Sequence, residues 1–330
     1  MNSVPLLLSV FSVAAAISIF ASGVLVVRLE RIAHRLALTE AALGLLAAVA
    51  ADAPEISSSV AALVHHDQGV GVGIIVGSNL FNLAALLGLA SLLSVSLPIS
   101  RSLSTYEGVP AALLALVVAA SLFRVISAQW MLVSVVVVTT PYVLLALKGP
   151  ERVRGRSRVA HLVRRALSEE TADLDEVVPP EAATRRDVIE AIATVVLVVT
   201  ASTVMERAGT RLGSRFQLSS LVVGGLVLAA VTSIPNVVAA VYLARRRRAA
   251  ALISEASNSN TLNVVFGLSL PAVLAGEHFD HSTDPVVASF YLALTIVSYA
   301  AVWHFKEMRR SVGVIVIAGY LCFVGFASSH

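Results

Sequence analysis

Apolar residues run in long blocks along this chain, and the blocks are broken by short polar clusters. Ten blocks stand out, near 5–27, 41–64, 69–94, 107–124, 128–147, 188–205, 218–243, 250–275, 285–304 and 312–328. About 20 apolar residues in a helix cross the hydrocarbon core of a bilayer. Each block therefore predicts a transmembrane helix, and the fold class predicted is an all-α polytopic membrane protein. The short alternating strands of a membrane barrel are not seen. No Lys or Arg precedes the first block. A cleaved signal peptide has a basic start, so a retained helix is expected there.

Polar clusters inside such blocks are costly in lipid, and here they are duplicated. Asp52-Ala53-Pro54-Glu55 is followed by Ser78-Asn79-Leu80-Phe81-Asn82, and Ser233-Ile234-Pro235-Asn236 by Ser259-Asn260-Thr261-Leu262-Asn263. A uniform shift of 181 residues maps the first set onto the second without a gap. Pro54, Ser78, Asn79 and Asn82 fall on Pro235, Ser259, Asn260 and Asn263. The blocks divide into a first half over 1–147, a polar linker over 148–187 and a second half over 188–330. Five spans per half insert the second copy upside down relative to the first. That predicts two inverted five-helix repeats with a site at the bilayer midplane between them.

Composition agrees with the segmentation. The chain is 57% hydrophobic and 14% charged; soluble domains carry about 25% charged residues. Its net charge of +3 is unevenly placed. With ten spans and the N-terminus outside, 20 of the 24 Lys and Arg fall in inside loops. They cluster at Arg28–Arg35, Arg101, Lys148–Arg186, Arg245–Arg248 and Lys306–Arg310. Excess positive charge faces the cytoplasm, so both termini are predicted outside and the cell membrane is the expected location. The basic runs read as topology signals, and no nucleic-acid partner is expected. The linker starts basic, turns acidic at Glu169, Glu170, Asp173, Asp175 and Glu176, and breaks at Pro179-Pro180. Val159–Leu167 reads either as a helix on the inner membrane surface or as part of a solvated linker. The lone Cys322 reads as a small core hydrophobe.

Each proline removes a backbone N–H and frees a carbonyl one turn earlier. Freed carbonyls at membrane depth must line protein or a water-filled cavity. Asp52 and Glu55 flank the first break; Thr232, Ser233 and Asn236 surround the second. Ser78 with Asn82, and Ser259 with Asn263, are four apart and share a helix face. Hard cations take such oxygen ligands, and no Cys cluster suggests a soft metal. No phosphate-binding loop for ATP is present, so an ion gradient is the expected driving force. Asp52 and Glu55 lie three apart on one segment, which does not suit an intramembrane aspartyl protease. Glycines 69, 71, 73 and 77 predict close helix packing.

With these four stretches, the chain resembles the calcium/cation antiporter superfamily, the sodium/calcium exchangers and their prokaryotic relatives. That family carries G-T-S-x-P-E and G-S-N-x-x-[ND] stretches in two inverted repeats. Here they read A-A-D-A-P-E (50–55), G-S-N-L-F-N (77–82), V-T-S-I-P-N (231–236) and N-S-N-T-L-N (258–263). The resemblance implies a secondary-active antiporter, not an enzyme, working by alternating access with no cofactor. Ca²⁺, Na⁺ or H⁺ would be its substrates and the lipid bilayer its surroundings. By the same resemblance the ion ligands are Glu55, Ser78 and Asn82 from the first repeat. Thr232, Ser233, Asn236, Ser259 and Asn263 come from the second, with Asp52 added where the family has serine. Glu55, Asn82, Asn236 and Asn263 would touch the metal directly. The family's second-repeat glutamate is here Asn236, and its frequent aspartate is Asn263. Carboxylate count sets affinity for a divalent ion. The expected activities are therefore sodium/calcium-type exchange and, alternatively, monovalent cation/proton exchange. A transport-inactive sensor or assembly partner is the reading outside transport. The sequence carries no signal for an oligomeric state.

Overall fold

The computed structural model describes residues 3–35, 48–94, 96–153, 155, 157–174, 184–276 and 285–329. Its helices are α1 (Val4–Arg35), α2 (Ala53–Val64), α3 (Gln68–Leu93), α4 (Arg101–Leu122) and α5 (Ala128–Lys148). They continue with α6 (Arg158–Leu174), α7 (Arg185–Arg215), α8 (Leu221–Thr232), α9 (Ile234–Arg245) and α10 (Ala249–Leu262). Helix α10 runs on through Asn263–Ser269 and Leu270–Leu274, and α11 (Pro285–Phe305) and α12 (Arg310–Ser329) close the chain. Two two-residue strands, β1 (Leu97–Pro98) and β2 (Glu307–Met308), pair antiparallel.

Among the described residues, seven helices are long and apolar enough to cross a membrane: α1, α3, α4, α5, α7, α11 and α12. An eighth results if the bent pair α8–α9 counts as one span. The expected segment near 41–64 begins outside the described residues; its described helix, α2, is short at 12 residues. The segment near 250–275 carries Ser254, Glu255, Ser257, Asn258, Ser259 and Asn260 along α10. The acidic end of the linker, with Asp175, Glu176 and Pro179-Pro180, also lies outside the described residues.

Helix α3 is the hub, 94% buried along its apolar stretch. It crosses α8 closely: a Cβ on Gly73 would sit 3.0 Å from the Gly225 nitrogen, and one on Gly77 would run into the Gly225 backbone. Small residues at such crossings let backbones meet, where dispersion replaces a hydrophobic driving force that lipid does not provide. The glycine spacing read from the chain thus has its partner in Gly224-Gly225. Helix α1 lies along α7, joined midway by Ser18 and Ser202 at 2.7 Å. Near the chain-distal end of α1, Arg28 pairs with Asp187 at 3.0 Å and Glu190 at 2.7 Å. Asp187 also caps α7 in a box with Thr184.

The linker contains a helix, and it is not solvated on all sides. Val163, Ala166 and Leu167 of α6 are buried, and the helix packs on α4 and α10. Glu169 Oε1 accepts from the Ser100 N–H, at the start of α4, at 2.9 Å. An amphipathic segment of this composition can bury its apolar stripe in lipid or in protein; here protein receives it.

Candidate functional site

Both duplicated prolines break a helix at matched points. Residues 48–51 are helical and stop at Asp52, with φ −85° and ψ −3°. Helix α8 stops at Ser233, with φ −83° and ψ 5°, and α9 departs at 46°. Asp52 and Ser233 are the same position under the 181-residue shift. Pro54 and Pro235 then sit in the first turn of α2 and α9, where a missing N–H costs nothing. Pro54 leaves the Ala50 carbonyl without its helical donor. Ser22 of α1 supplies one at 2.6 Å.

A second local feature follows each Ser-Asn-x-x-Asn stretch. The backbone widens into π-helix over Leu83–Leu89 and over Asn263–Ser269. π turns misalign the backbone ladder and recur at functional sites. They place Asn82 and Asn263 where the helix changes pitch.

Four helix segments bring the side chains together. Ser233 and Asn263 Nδ2 donate to the two Glu55 carboxylate oxygens, the latter at 2.6 Å. Ser259 donates to Asp52 Oδ1 at 2.5 Å, and Asn236 Nδ2 donates to the same oxygen at 3.0 Å. Asn236 Nδ2 also meets Asn82 Oδ1 at 3.0 Å and Ser259 Oγ at 3.2 Å. Asn82 Nδ2 approaches Ser259 Oγ at 3.3 Å. Asp52, Glu55, Ser78, Asn82, Ser233, Asn236, Ser259 and Asn263 are each 0% exposed. The two carboxyls have only neutral partners; no Lys or Arg among the described residues pairs with either.

The hydrogen bonding is incomplete in a specific way. Asp52 Oδ2, Ser78 Oγ, Asn236 Oδ1 and Asn263 Oδ1 are buried without a partner. Buried polar atoms are rarely left so, and each costs about 1–3 kcal/mol. All four belong to the residues singled out from the sequence. Thr232 stands apart: it is buried, but its hydroxyl donates to Leu228 O at 2.9 Å in its own helix.

Further side chains tie the cluster together. Asn79 and Asn260 cross-link α3 and α10 reciprocally, each Nδ2 donating to the other's carbonyl at 3.3 Å. Asn79 also meets the Tyr291 hydroxyl at 3.1 Å and receives Asn263 at 3.1 Å. The duplication at 181 flagged the two asparagines; nothing flagged Tyr291, which arrives from α11. Glu255 stands one turn before Ser259 on α10.

The helices and this enclosed oxygen cluster define a polytopic helical membrane protein of transporter type. The family model for sodium/calcium exchanger proteins matches residues 6–147 and 188–328, so the chain belongs to the sodium/calcium exchanger protein family. Inner membrane protein YrbG of Escherichia coli K12 is 26% identical over 275 residues, covering 81% of this chain and 80% of that protein. Sodium/calcium exchanger MaX1 of Methanosarcina acetivorans is 41% identical over 64 residues, 19% of this chain and 18% of that one. Solved structures of the sodium-calcium exchanger NCX_Mj share the fold. One soaked with 2.5 mM Na⁺ and 10 mM Sr²⁺ superposes with TM-score 0.63 at 17% identity, covering 98% of this chain and 99% of that one.

Proposed function

We propose that the chain is a secondary-active antiporter that binds a small hard cation among Asp52, Glu55, Ser78, Asn82, Ser233, Asn236, Ser259 and Asn263. One observation carries the reading: three buried oxygens without donors, Asp52 Oδ2, Asn236 Oδ1 and Asn263 Oδ1, belong to side chains of both motif copies that meet in one cluster. A cation without its water shell satisfies such oxygens together, whereas a hydrogen-bond donor satisfies them one at a time. Glu55, Asn82, Asn236 and Asn263 are the nearest metal ligands in this reading, and Thr232 lends only its lone pairs. The cation is substrate, and the chain needs no cofactor.

Alternating access follows from two copies of opposite orientation. The reciprocal Asn79–Asn260 bonds support that relation, since equivalent atoms exchange places. The loops also sort by side. Ser96 meets Arg247 at 3.5 Å and Glu307 at 2.5 Å, and Ser100 meets Glu169; all lie in regions assigned inside. His65 meets Arg207 at 2.7 Å, and both lie in loops assigned outside. Such sorting is what ten spans with both termini outside require.

Two carboxylates, rather than the three of a typical calcium exchanger site, favour a second reading on the same fold: exchange of a monovalent cation for protons. Tracer flux in proteoliposomes decides. Wild type is expected to show gradient-driven cation uptake, and Glu55→Gln to lower it about 100-fold, a loss of roughly 2.7 kcal/mol in the transport barrier. Ca²⁺ uptake inhibited by Na⁺ at two pH values identifies sodium/calcium exchange; Na⁺ uptake driven by a pH gradient identifies the second. Absence of flux for every cation tested would leave the sensor reading.

A further inference from the structure

Helices α4 and α11 pack along one another. On their exposed side they leave an open groove of about 510 Å³. Gly108 and Tyr299, both buried, form its floor; a Cβ on Gly108 would sit 2.8 Å from the Tyr299 Cβ. Val109, Leu113, Leu116 and Ile296 form its walls and are 44–51% exposed. Two hydroxyls border it, on Ser104 and Thr105. Both are committed to carbonyls one turn back, Ser100 O at 3.1 Å and Arg101 O at 2.7 Å. The lining therefore suits a hydrocarbon chain.

One end is different. Trp303 lines the groove there, and the Arg101 guanidinium lies over its ring, 4.3 Å from the centroid. A guanidinium stacked on a ring keeps its in-plane N–H fork, which matches a phosphate. Arg101 is exposed. So is Lys306, whose carbonyl accepts from the Ile99 N–H at 2.9 Å, close by in the same corner. The nearby acids have other partners: Glu169 takes the Ser100 N–H, and Glu307 takes Ser96 and Arg309. Among the described residues neither Arg101 nor Lys306 is in an ion pair.

The dimensions fit a lipid. Tryptophan concentrates at the headgroup level of a bilayer, which sets Trp303 and Arg101 at that depth. From Ser104 to Leu116 the groove follows α4 for about 18 Å, at about 1.5 Å per residue. One leaflet holds about 15 Å of hydrocarbon, half of the bilayer core. A second open groove, of about 400 Å³ between α1 and α7, has no aromatic residue in its lining. Apolar surface is common to both; the cation stacked on an indole marks the first.

We propose that the α4–α11 groove binds one phospholipid with a net negative headgroup, its phosphate on Arg101 and one acyl chain laid between the helices. Basic pockets between membrane helices select such headgroups. Helix α11 also brings Tyr291 to Asn79, so the lipid packs on a helix that reaches the central cluster.

Native mass spectrometry of the purified protein, titrated with phosphatidylglycerol or phosphatidylcholine of matched acyl chains, tests this without transport. A protein that moves no cation leaves the test intact. Wild type should retain one phosphatidylglycerol about fivefold or more tightly than phosphatidylcholine. Arg101→Ala should weaken that retention about fivefold, the effect of one basic residue at a lipid surface. Ala112→Trp fills the groove midway, keeps Arg101, and should abolish the retention. Arg246 stacks on Tyr242 at 5.5 Å but is outside the groove lining, so Arg246→Ala should behave as wild type. If Ala112→Trp does not fold, Arg101→Ala carries the readout, being an exposed change at the first residue of α4. Equal retention of the two lipids by wild type would overturn the proposal. So would equal losses in Arg101→Ala and Arg246→Ala, or retention unchanged in Arg101→Ala and Ala112→Trp. A protein dimer in place of the bound lipid, dissolved by Ala112→Trp, would assign the groove to a second copy and overturn it too.

Discussion

Asn236 shows at the scale of one residue what sets the character of the central site. Its amide nitrogen, with two protons, lies within hydrogen-bond distance of Asp52, Asn82 and Ser259, while its carbonyl oxygen has no donor. A carboxylate here could not donate. Asn236→Asp would give up both donated protons for one charge and repel Asp52. Extra negative charge raises affinity for a divalent ion. Asn236→Asp is therefore expected to tighten Ca²⁺ binding about tenfold relative to Na⁺, read by tracer competition. Equal effects on both ions would show that Asn236 does not face the cation. Serine also acts at a distance from the cluster: Ser22 repairs the carbonyl that Pro54 orphans. Ser59 does similar work, lying 2.9 Å from Gly71 O and 2.8 Å from Gly267 O between α2, α3 and the end of α10.

Elements position these residues by breaks and close crossings. The α3–α8 crossing has no room for a side chain at Gly77. Gly77→Val forces the helices apart, and a cost of about 1–3 kcal/mol is expected as a lowered unfolding temperature in detergent. The same variant should weaken cation binding, because Ser78 is the next residue. Helix α6 supplies a pH dependence. Glu170 has an ordinary value of 4.5 that docking raises to about 7. Below 4.5 docked and undocked helix are both protonated, and docking keeps its full strength. As pH climbs toward about 7 the undocked helix loses its proton first, so docking weakens across that window. Hydrogen exchange over 158–174, corrected for its intrinsic pH dependence, should show falling protection there. In Glu170→Gln the profile should be flat.

At the scale of the whole molecule, the loop contacts named among the described residues fall into two groups. The Arg207–His65 contact lies in one and the Ser96–Arg247 contact in the other. Cysteines placed at 207 and 247 in a Cys322→Ser background should react with a membrane-impermeant reagent from opposite sides, 207 from outside. Cys322 lies on the exposed face of α12 and not in the core that its apolar surroundings predicted, so replacing it should not disturb the fold. Labelling of both positions from one side would break the inverted arrangement.

Much of this protein was legible without coordinates. Long apolar blocks predict helices in lipid because an unpaired backbone group there costs several kcal/mol. The 181-residue duplication, with its prolines and asparagines, picked out residues that gather in one buried polar cluster, because polar groups persist in such blocks only for a reason. Spacing along one chain says nothing of which helix faces which, and there the tertiary structure decided. It committed the hydroxyl proton of Thr232 to its own helix and brought in Tyr291 and Ser22 from helices without a motif. It widened the backbone after Asn82 and buried the apolar stripe of α6 in protein. It also enclosed Glu107 with hydroxyls from two other helices, Tyr142 and Ser254. Burial and pairing belong to contacts between elements, so local pattern could name the atoms that need partners but not the atoms that meet them.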